Sequence, residues 1–194
     1  MFKTIFKKPF LQPAGSGPGA GAASESADQA AELLMTPAAL MPLTLEEARV
    51  VVRYMQPQLV AKGTIFMRQG DGRDTGFMLL LLSGEVTVEM LVPSRIEPIV
   101  ITLLGPGSLI GELGLLDGQP RHATCVAVTP LRCAVLTREA LEQLMQDNAP
   151  VAAKLLLGIS VRSGARLREL TDKLKMYAQL TQAMEQEIGS RVNP

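Results

Sequence analysis

The chain has 194 residues, enough for one domain of ordinary size with tails. Its 19 basic and 19 acidic residues balance, so no overall positive field would attract nucleic acid. Apolar residues make up 47% of the sequence, but no run approaches the roughly 18 apolar residues that a membrane-spanning helix needs. One histidine and two cysteines supply too few ligands for a metal site, and we expect Cys125 and Cys133 to be buried free thiols.

The first forty residues combine a short basic segment with a stretch that is poor in large side chains. Residues 1–10 interleave three lysines with apolar residues, which on a helix would form an amphipathic surface for a partner or for peripheral membrane contact. A disordered tail is the alternative, and no long apolar region follows that would make this segment a signal peptide. Gly, Ala, Ser and Pro dominate residues 12–30, so we predict a flexible linker there.

The folded domain is predicted to begin near Pro42 and to be mainly β. Thr44 and Glu47 have the spacing of a capping box ahead of a short helix. Short strand-like runs follow, separated by turn signals such as Gly-Asp-Gly at 70–72 and Gly-Pro-Gly at 105–107. These runs are 58–60, 64–68, 75–82, 85–91, 98–104, 123–127 and 132–136. The pattern predicts an α+β, mainly β, fold: an antiparallel β jelly roll flanked by helices.

Two helices are predicted after the strands. Thr137 begins the first, and Pro150 suits the first turn of a long second helix. The distal half of this second helix repeats with three-four spacing, which is typical of a coiled-coil seam. The seam residues are Leu167, Leu170, Leu174, Tyr177, Thr181, Met184 and Ile188. A helix of about forty residues would be about 60 Å long, so we predict a homodimer through this C-terminal helix; packing of the distal half against the chain's own roll is the alternative.

These patterns divide the chain into three parts. Residues 1–40 are the basic segment and linker, 41–149 the roll, and 150–190 the long helix.

The most informative stretch is the cassette, residues 111–124, which reads GELGLLDGQPRHAT. Its small residues let the backbone approach a ligand closely. The start of a short helix exposes N–H groups that suit an anion. Arg121 offers a planar, permanently charged fork for two phosphate oxygens. Glu112 offers an acceptor for a sugar hydroxyl.

The cassette resembles the phosphate-binding cassette of cyclic nucleotide-binding domains, as found in catabolite activator protein and in regulatory subunits of cAMP-dependent kinase. The family pattern is Gly-Glu-(Leu/Ile)-(Gly/Ala)-Leu, then Pro-Arg-x-Ala-(Thr/Ser) after a few residues. The matching residues are Gly111, Glu112, Leu113, Gly114, Leu115, Pro120, Arg121, Ala123 and Thr124. The resemblance implies that Arg121 pairs with the cyclic phosphate and Glu112 accepts the ribose 2′-hydroxyl, with N–H groups around Leu113 and Ala123 completing the cradle.

Other contacts are less defined by the resemblance. Gly111, Gly114 and Thr124 are expected to line the ligand, and His122 stands where the family commonly has Ser, Thr or Ala. His122 can donate to the phosphate or base, or it can point to solvent. In the family the long helix closes over the base, which makes Arg166, Leu170 and Thr171 lid candidates; a solvated or seam position is the alternative for each.

The resemblance and the missing segments together predict a stand-alone cytoplasmic sensor rather than an enzyme or a DNA-binding protein. Only 18 residues follow Met176, too few for a helix-turn-helix domain, and no nucleophile–base pair is present. The regulatory ligand is expected to be cAMP, with cGMP as a second choice, and no cofactor is expected. Binding would be relayed through the long helix to an effector protein. A nucleotide-independent dimeric scaffold and a cyclic di-GMP binder are the alternatives.

Overall fold

The computed structural model describes residues 20–92 and 97–192, and the side chains of residues 25–92 and 97–186. The basic segment 1–10 therefore lies outside the described residues. The chain divides into two compact units, Met1–Gly158 and Ile159–Pro194. The first unit contains all the described strands, and the described part of the second is helix alone.

The strands of the described chain form two antiparallel sheets of four strands each. One sheet has the order β1-β8-β3-β6 and the other the order β2-β7-β4-β5. The strands are β1 Gln56–Val60, β2 Ile65–Met67, β3 Phe77–Ser83, β4 Val86–Met90, β5 Ile99–Leu104, β6 Leu109–Ile110, β7 Thr124–Ala127 and β8 Leu131–Thr137. This arrangement confirms the predicted jelly roll. Strand β6 was not predicted from the sequence, because its two residues are too few to show a period.

The apolar run 77–82 becomes β3, and residues 78–82 of this strand are buried on both faces. Leu79 and Leu81 join the core between the sheets, together with Phe66, Val86, Leu131 and Val135. Met78 and Leu80 are fully buried on the opposite face, where a helix covers the strand. A strand covered on both faces needs no polar alternation, which explains its unbroken apolar sequence.

That covering helix, α1 Ala20–Leu34, corrects the prediction of a flexible linker over residues 12–30 from residue 20 onward. Gly and Ser suggested flexibility, but alanine is the strongest helix former. Its inward face is made of residues spaced i, i+3, i+4 and i+7, namely Ala27, Ala30, Ala31 and Leu34. Polar contacts fix this helix to the roll, because Gln29 Nε2 donates to Leu82 O at 3.0 Å and Arg49 pairs with Asp28 at 2.9 Å.

The other helices begin where the sequence predicts them. They are α2 Leu45–Val52, α3 Glu112–Asp117, α4 Arg138–Asp147 and α5 Ala149–Val192. Thr44 and Glu47 form the predicted capping box of α2, and the Thr137 hydroxyl accepts from Ala140 N at the start of α4. Lys154, in the first unit, donates to the Glu47 carboxylate at 2.6 Å and so fixes the start of α5 to α2.

The second unit exposes an apolar seam along α5. Leu167, Leu170, Leu174, Tyr177 and Met184 are between 42% and 69% exposed. The side chain of Ile188, the last predicted seam residue, lies outside the described residues. No helix in the described ranges has both the length and the apolarity that crossing a membrane requires.

Candidate functional site

The cassette begins at Gly111, a position that no other residue can occupy without backbone strain. Gly111 is the N-cap of α3 and has φ of 84°, in the left-handed region that other residues rarely adopt. A Cβ here would lie 2.5 Å from Met67 Cε and 2.7 Å from Arg121 Nη1. The sequence therefore brings the α3 backbone directly against the guanidinium of Arg121.

The Arg121 side chain is 6% exposed and is held by main-chain carbonyls. Its Nη1 donates to Gly111 O at 2.9 Å, and its Nη2 donates to Asp74 O at 3.0 Å and to Phe77 O at 2.9 Å. The guanidinium carbon also stacks over the Phe77 ring, 4.5 Å from the centroid. These bonds go to carbonyls rather than to the Glu112 carboxylate, so a ligand need not break an Arg121–Glu112 pair.

One donor of this guanidinium has no partner among the described residues: Arg121 Nε, which is buried. Burial lowers the pKa of the Arg121 guanidinium from its ordinary value, and nearby groups that include Asp74 and Glu112 act in the opposite direction. An arginine still keeps its charge near neutral pH after such a change. The site therefore holds a buried permanent cation whose Nε–H is available to an anion.

The backbone of Arg121 is clamped by the turn that follows β2. Gly70 N donates to Arg121 O at 2.8 Å, and Arg121 N donates to Asp71 O at 3.0 Å. Next along the chain, the Thr124 hydroxyl accepts from Gln69 N at 3.1 Å. This bond gives Thr124 a structural role and leaves its O–H able to donate, so the ligand contact that the sequence suggests stays a prediction.

The remaining predicted site residues occupy different environments. Glu112 is 5% exposed, whereas Leu113 is 47% exposed, and His122 is also exposed. The N–H groups of Leu113 and Gly114 belong to the first turn of α3, where the helix itself offers them no acceptor. The structure thus brings Gly111, Gly114 and Arg121 into contact and leaves His122 at the surface.

A row of side chains that was not predicted from the sequence crosses the β2-β7-β4-β5 sheet. Strand register places Met67 beside Cys125, Cys125 beside Val88, and Val88 beside Thr102. Met67, Val88 and Cys125 all contribute to the core between the sheets, so this row lies on the inner face. It starts at Gly111, which Met67 approaches, and ends at the half-buried hydroxyl of Thr102. Only the register brings these four residues together.

The lid candidates belong to the second unit. Arg166, Leu170 and Thr171 all lie on α5 beyond Gly158. The Thr171 hydroxyl donates to Leu167 O at 2.9 Å, one turn earlier in the same helix. Their role in closing over a base stays a prediction.

A jelly roll that sets a glycine-opened helical turn against a buried arginine has the architecture of a cyclic nucleotide-binding domain. The family model described as cyclic nucleotide-binding domain matches residues 57–148, which include the whole cassette and all the described strands except the first residue of β1. The chain belongs to this family, as the resemblance of the cassette predicts.

Similar proteins include a cyclic AMP receptor protein, a transcriptional regulator and a solved domain. The chain is 34% identical to the cyclic AMP receptor protein of Thermus thermophilus, over 70% of this chain and 60% of that protein. It is 25% identical to the CRP-like cAMP-activated global transcriptional regulator of Mycobacterium tuberculosis, over 63% of this chain. A crystallised cyclic nucleotide-binding domain from Methylobacillus flagellatus superposes with a TM-score of 0.71 and 32% identity, covering 78% of this chain and 83% of that one. The chain spans about half, 53%, of the mycobacterial regulator's length.

Proposed function

We propose that this protein is a cyclic nucleotide sensor that binds cAMP, or in second place cGMP, and passes the signal to a protein partner without being an enzyme. The observation that carries the proposal is the buried Arg121, whose Nε has no partner among the described residues. An unpaired buried donor costs roughly 1–3 kcal/mol, so its presence is best explained by an acceptor that arrives with a ligand. A cyclic phosphate is such an acceptor.

The cassette supplies the other contacts that a cyclic nucleotide needs. The N–H groups of Leu113 and Gly114 are suited to the phosphate oxygens, and the buried Glu112 carboxylate is suited to the ribose 2′-hydroxyl. Together with Arg121, they give a negative ligand a fixed cation and several donors, which compensates for its loss of water.

The inner-face row provides the surface for the base. Val88 and Met67 are apolar, and Thr102 adds a hydroxyl whose bond within the described residues is a long one, 3.5 Å to its neighbour's carbonyl. In this scheme Thr102 discriminates between bases, and the exposed His122 contributes little. The choice of cAMP over cGMP then depends on which base edge Thr102 can bond.

The output runs through α5. The exposed seam of α5 suits pairing with the same helix of a second copy. The effector protein would then recognise the paired helices. The energy available to change the helix is limited to the difference in ligand affinity between the two states. We place the sensor in the cytoplasm and expect neither DNA binding nor a cofactor.

The test is calorimetric titration of the purified protein with cAMP, cGMP and cyclic di-GMP. One mononucleotide should bind, and Arg121→Lys should weaken it by about 2–5 kcal/mol, because a lysine keeps the charge but not the fork. Arg53→Lys is the matched control, since Arg53 is exposed at the end of α2 and should leave affinity unchanged.

The other ligands separate this function from its alternatives. Binding of cyclic di-GMP alone would replace the mononucleotide assignment. No binding of any of the three would leave a nucleotide-independent dimeric scaffold as the better description.

A further inference from the structure

Arg138, the first residue of α4, also contacts the cassette. Its Nη2 donates to Gly114 O at 3.0 Å and would lie 3.4 Å from a Cβ at Gly118. Gly114 O also accepts from Gly118 N at 3.0 Å, at the end of α3. A Cβ at Gly114 would lie 2.8 Å from Arg121 Nη1. Gly114 is thus held between two arginines.

The same two arginines share one support, the floor segment, residues 74–77. Arg121 bonds the carbonyls of Asp74 and Phe77, as described above, and Arg138 N donates to Gly76 O at 2.8 Å. The Thr75 hydroxyl donates to Gly118 O at 3.3 Å. Each residue of the floor segment therefore ties to Arg121, Arg138 or the end of α3.

We propose that Arg138 is a positioning residue of the cassette, which holds Gly114 against Arg121 and joins the phosphate site to the first turn of α4. A cation that donates to the Gly114 carbonyl stiffens a short helix that its own six residues cannot stabilise alone. When Arg121 shifts toward a ligand, the floor segment and Gly114 shift with it, and Arg138 carries that change directly into α4.

The positive charge of Arg138 also favours its role in stabilising α3. Gly114 O accepts the hydrogen bond from Gly118 N that closes α3, and it points toward the C-terminal end of the helix, which is the negative end of the helix dipole. A cation at this end stabilises the helix without entering the ligand site. The effect on nucleotide affinity rests on the proposed function, whereas the effect on the rigidity of α3 does not.

The first test needs no ligand. Hydrogen exchange is measured at the amides of Leu115 and Gly118, which close the hydrogen bonds of α3 to Gly111 O and Gly114 O. Arg138→Gln should raise exchange at Gly118 by about tenfold, and Arg138→Lys should restore part of the protection. Arg53→Gln, at the exposed C-cap of α2, is the control that should change neither amide.

The second test compares the two phosphorothioate diastereomers of cAMP, in which sulfur replaces one or the other exocyclic oxygen. The ratio of their dissociation constants reports where the phosphate sits relative to the cassette. A merely less stable protein would lose affinity for both equally. Arg138→Gln should raise the dissociation constant for cAMP about tenfold and change the ratio, with Arg138→Lys intermediate.

The outcomes separate the two ideas. Unchanged exchange at Gly118 in Arg138→Gln overturns the positioning role, whatever the ligand does. Raised exchange with no nucleotide binding by the wild type supports the positioning role and overturns the sensor function. Raised exchange with an unchanged dissociation constant and ratio limits Arg138 to the stability of α3 and overturns its link to the phosphate site.

Discussion

The cassette buries its charged residues among main-chain carbonyls, whereas the distal half of α5 leaves its apolar residues exposed. Arg121 is 6% exposed and makes three hydrogen bonds to carbonyls, while Leu174 is 69% exposed. The first region is therefore stabilised by its own chain and retains one donor for a ligand. The second has the composition of an interface, because exposed apolar residues at regular spacing gain stability only when something covers them.

If the cassette is stabilised by its own chain, then its arginine must matter to folding as well as to binding. Arg121→Ala should lower the free energy of unfolding by about 3 kcal/mol or more, because the carbonyls of Gly111, Asp74 and Phe77 would lose their donor. Urea unfolding without nucleotide measures this, with Arg53→Ala as the exposed control. A loss as small as that of the control would mean that the guanidinium is not seated as described.

A smaller effect comes from the close contact at Gly111. Gly111→Ala and Gly63→Ala both place a side chain at a φ near 80°, which costs about 1–3 kcal/mol. A Cβ at Gly63 meets nothing within 4 Å, whereas one at Gly111 meets Met67 and Arg121. Gly111→Ala should therefore be the less stable by about 1–3 kcal/mol, as expected for overpacking. Equal unfolding midpoints for the two variants would show that Met67 and Arg121 can move away from the added methyl group without loss of stability.

A still smaller effect, and one that depends on pH, comes from Glu47. The hydrogen bond from Lys154 lowers the pKa of the Glu47 carboxyl, and the Thr44 N–H adds to this. A lowered folded-state pKa contributes stability above the ordinary glutamate pKa, and this contribution is lost as pH falls through the folded value.

Glu47→Gln should therefore be less stable than the wild type at pH 7, with the difference shrinking in acid. Thermal melts from pH 7 to pH 3 follow this difference, and Glu142→Gln, at an exposed position, is the control. A difference that stays constant with pH would assign the effect to packing rather than charge.

Features set by neighbouring residues were predictable from the sequence. The capping box of Thr44 and Glu47, the Thr137 cap and the turn glycines depend on a few adjacent residues. The cassette was also found, because its residues lie within one short stretch. Even there, the hydrogen bonds of Arg121 to the carbonyls of Asp74 and Phe77 were not predictable, since those partners lie some 45 residues away.

Features that depend on register or on long-range packing were not predictable in this way. Thr102 joins Val88 and Met67 only through the pairing of four strands, which periodicity within one strand cannot supply. The linker prediction was wrong at α1, because a segment rich in Ala, Gly and Ser has the composition of a linker. Its alanine face forms a helix because the roll provides a surface that buries it. In the sequence, Arg138 is an ordinary residue of the first turn of a helix, and its hydrogen bond to Gly114 O depends on the tertiary fold.

The smallest effect on folding, and a large one on assembly, is expected at the α5 seam. Leu174→Ser should leave the unfolding of the roll within about 0.5 kcal/mol of the wild type, because the side chain is exposed. It should nevertheless weaken the proposed homodimer at least about tenfold, since a seam leucine buried on pairing contributes roughly 1.5–3 kcal/mol per copy. Light scattering across a dilution series measures both the dimer and its loss.

Met176→Ser is the matched control, because Met176 is 57% exposed on the same helix but lies outside the three-four spacing. If the seam is the interface, Met176→Ser should dimerise like the wild type. Equal weakening in both variants would place the interface on a broader face that includes Met176. A wild type that is monomeric at high concentration would exclude self-association, and the exposed apolar face would then mark where α5 meets its effector.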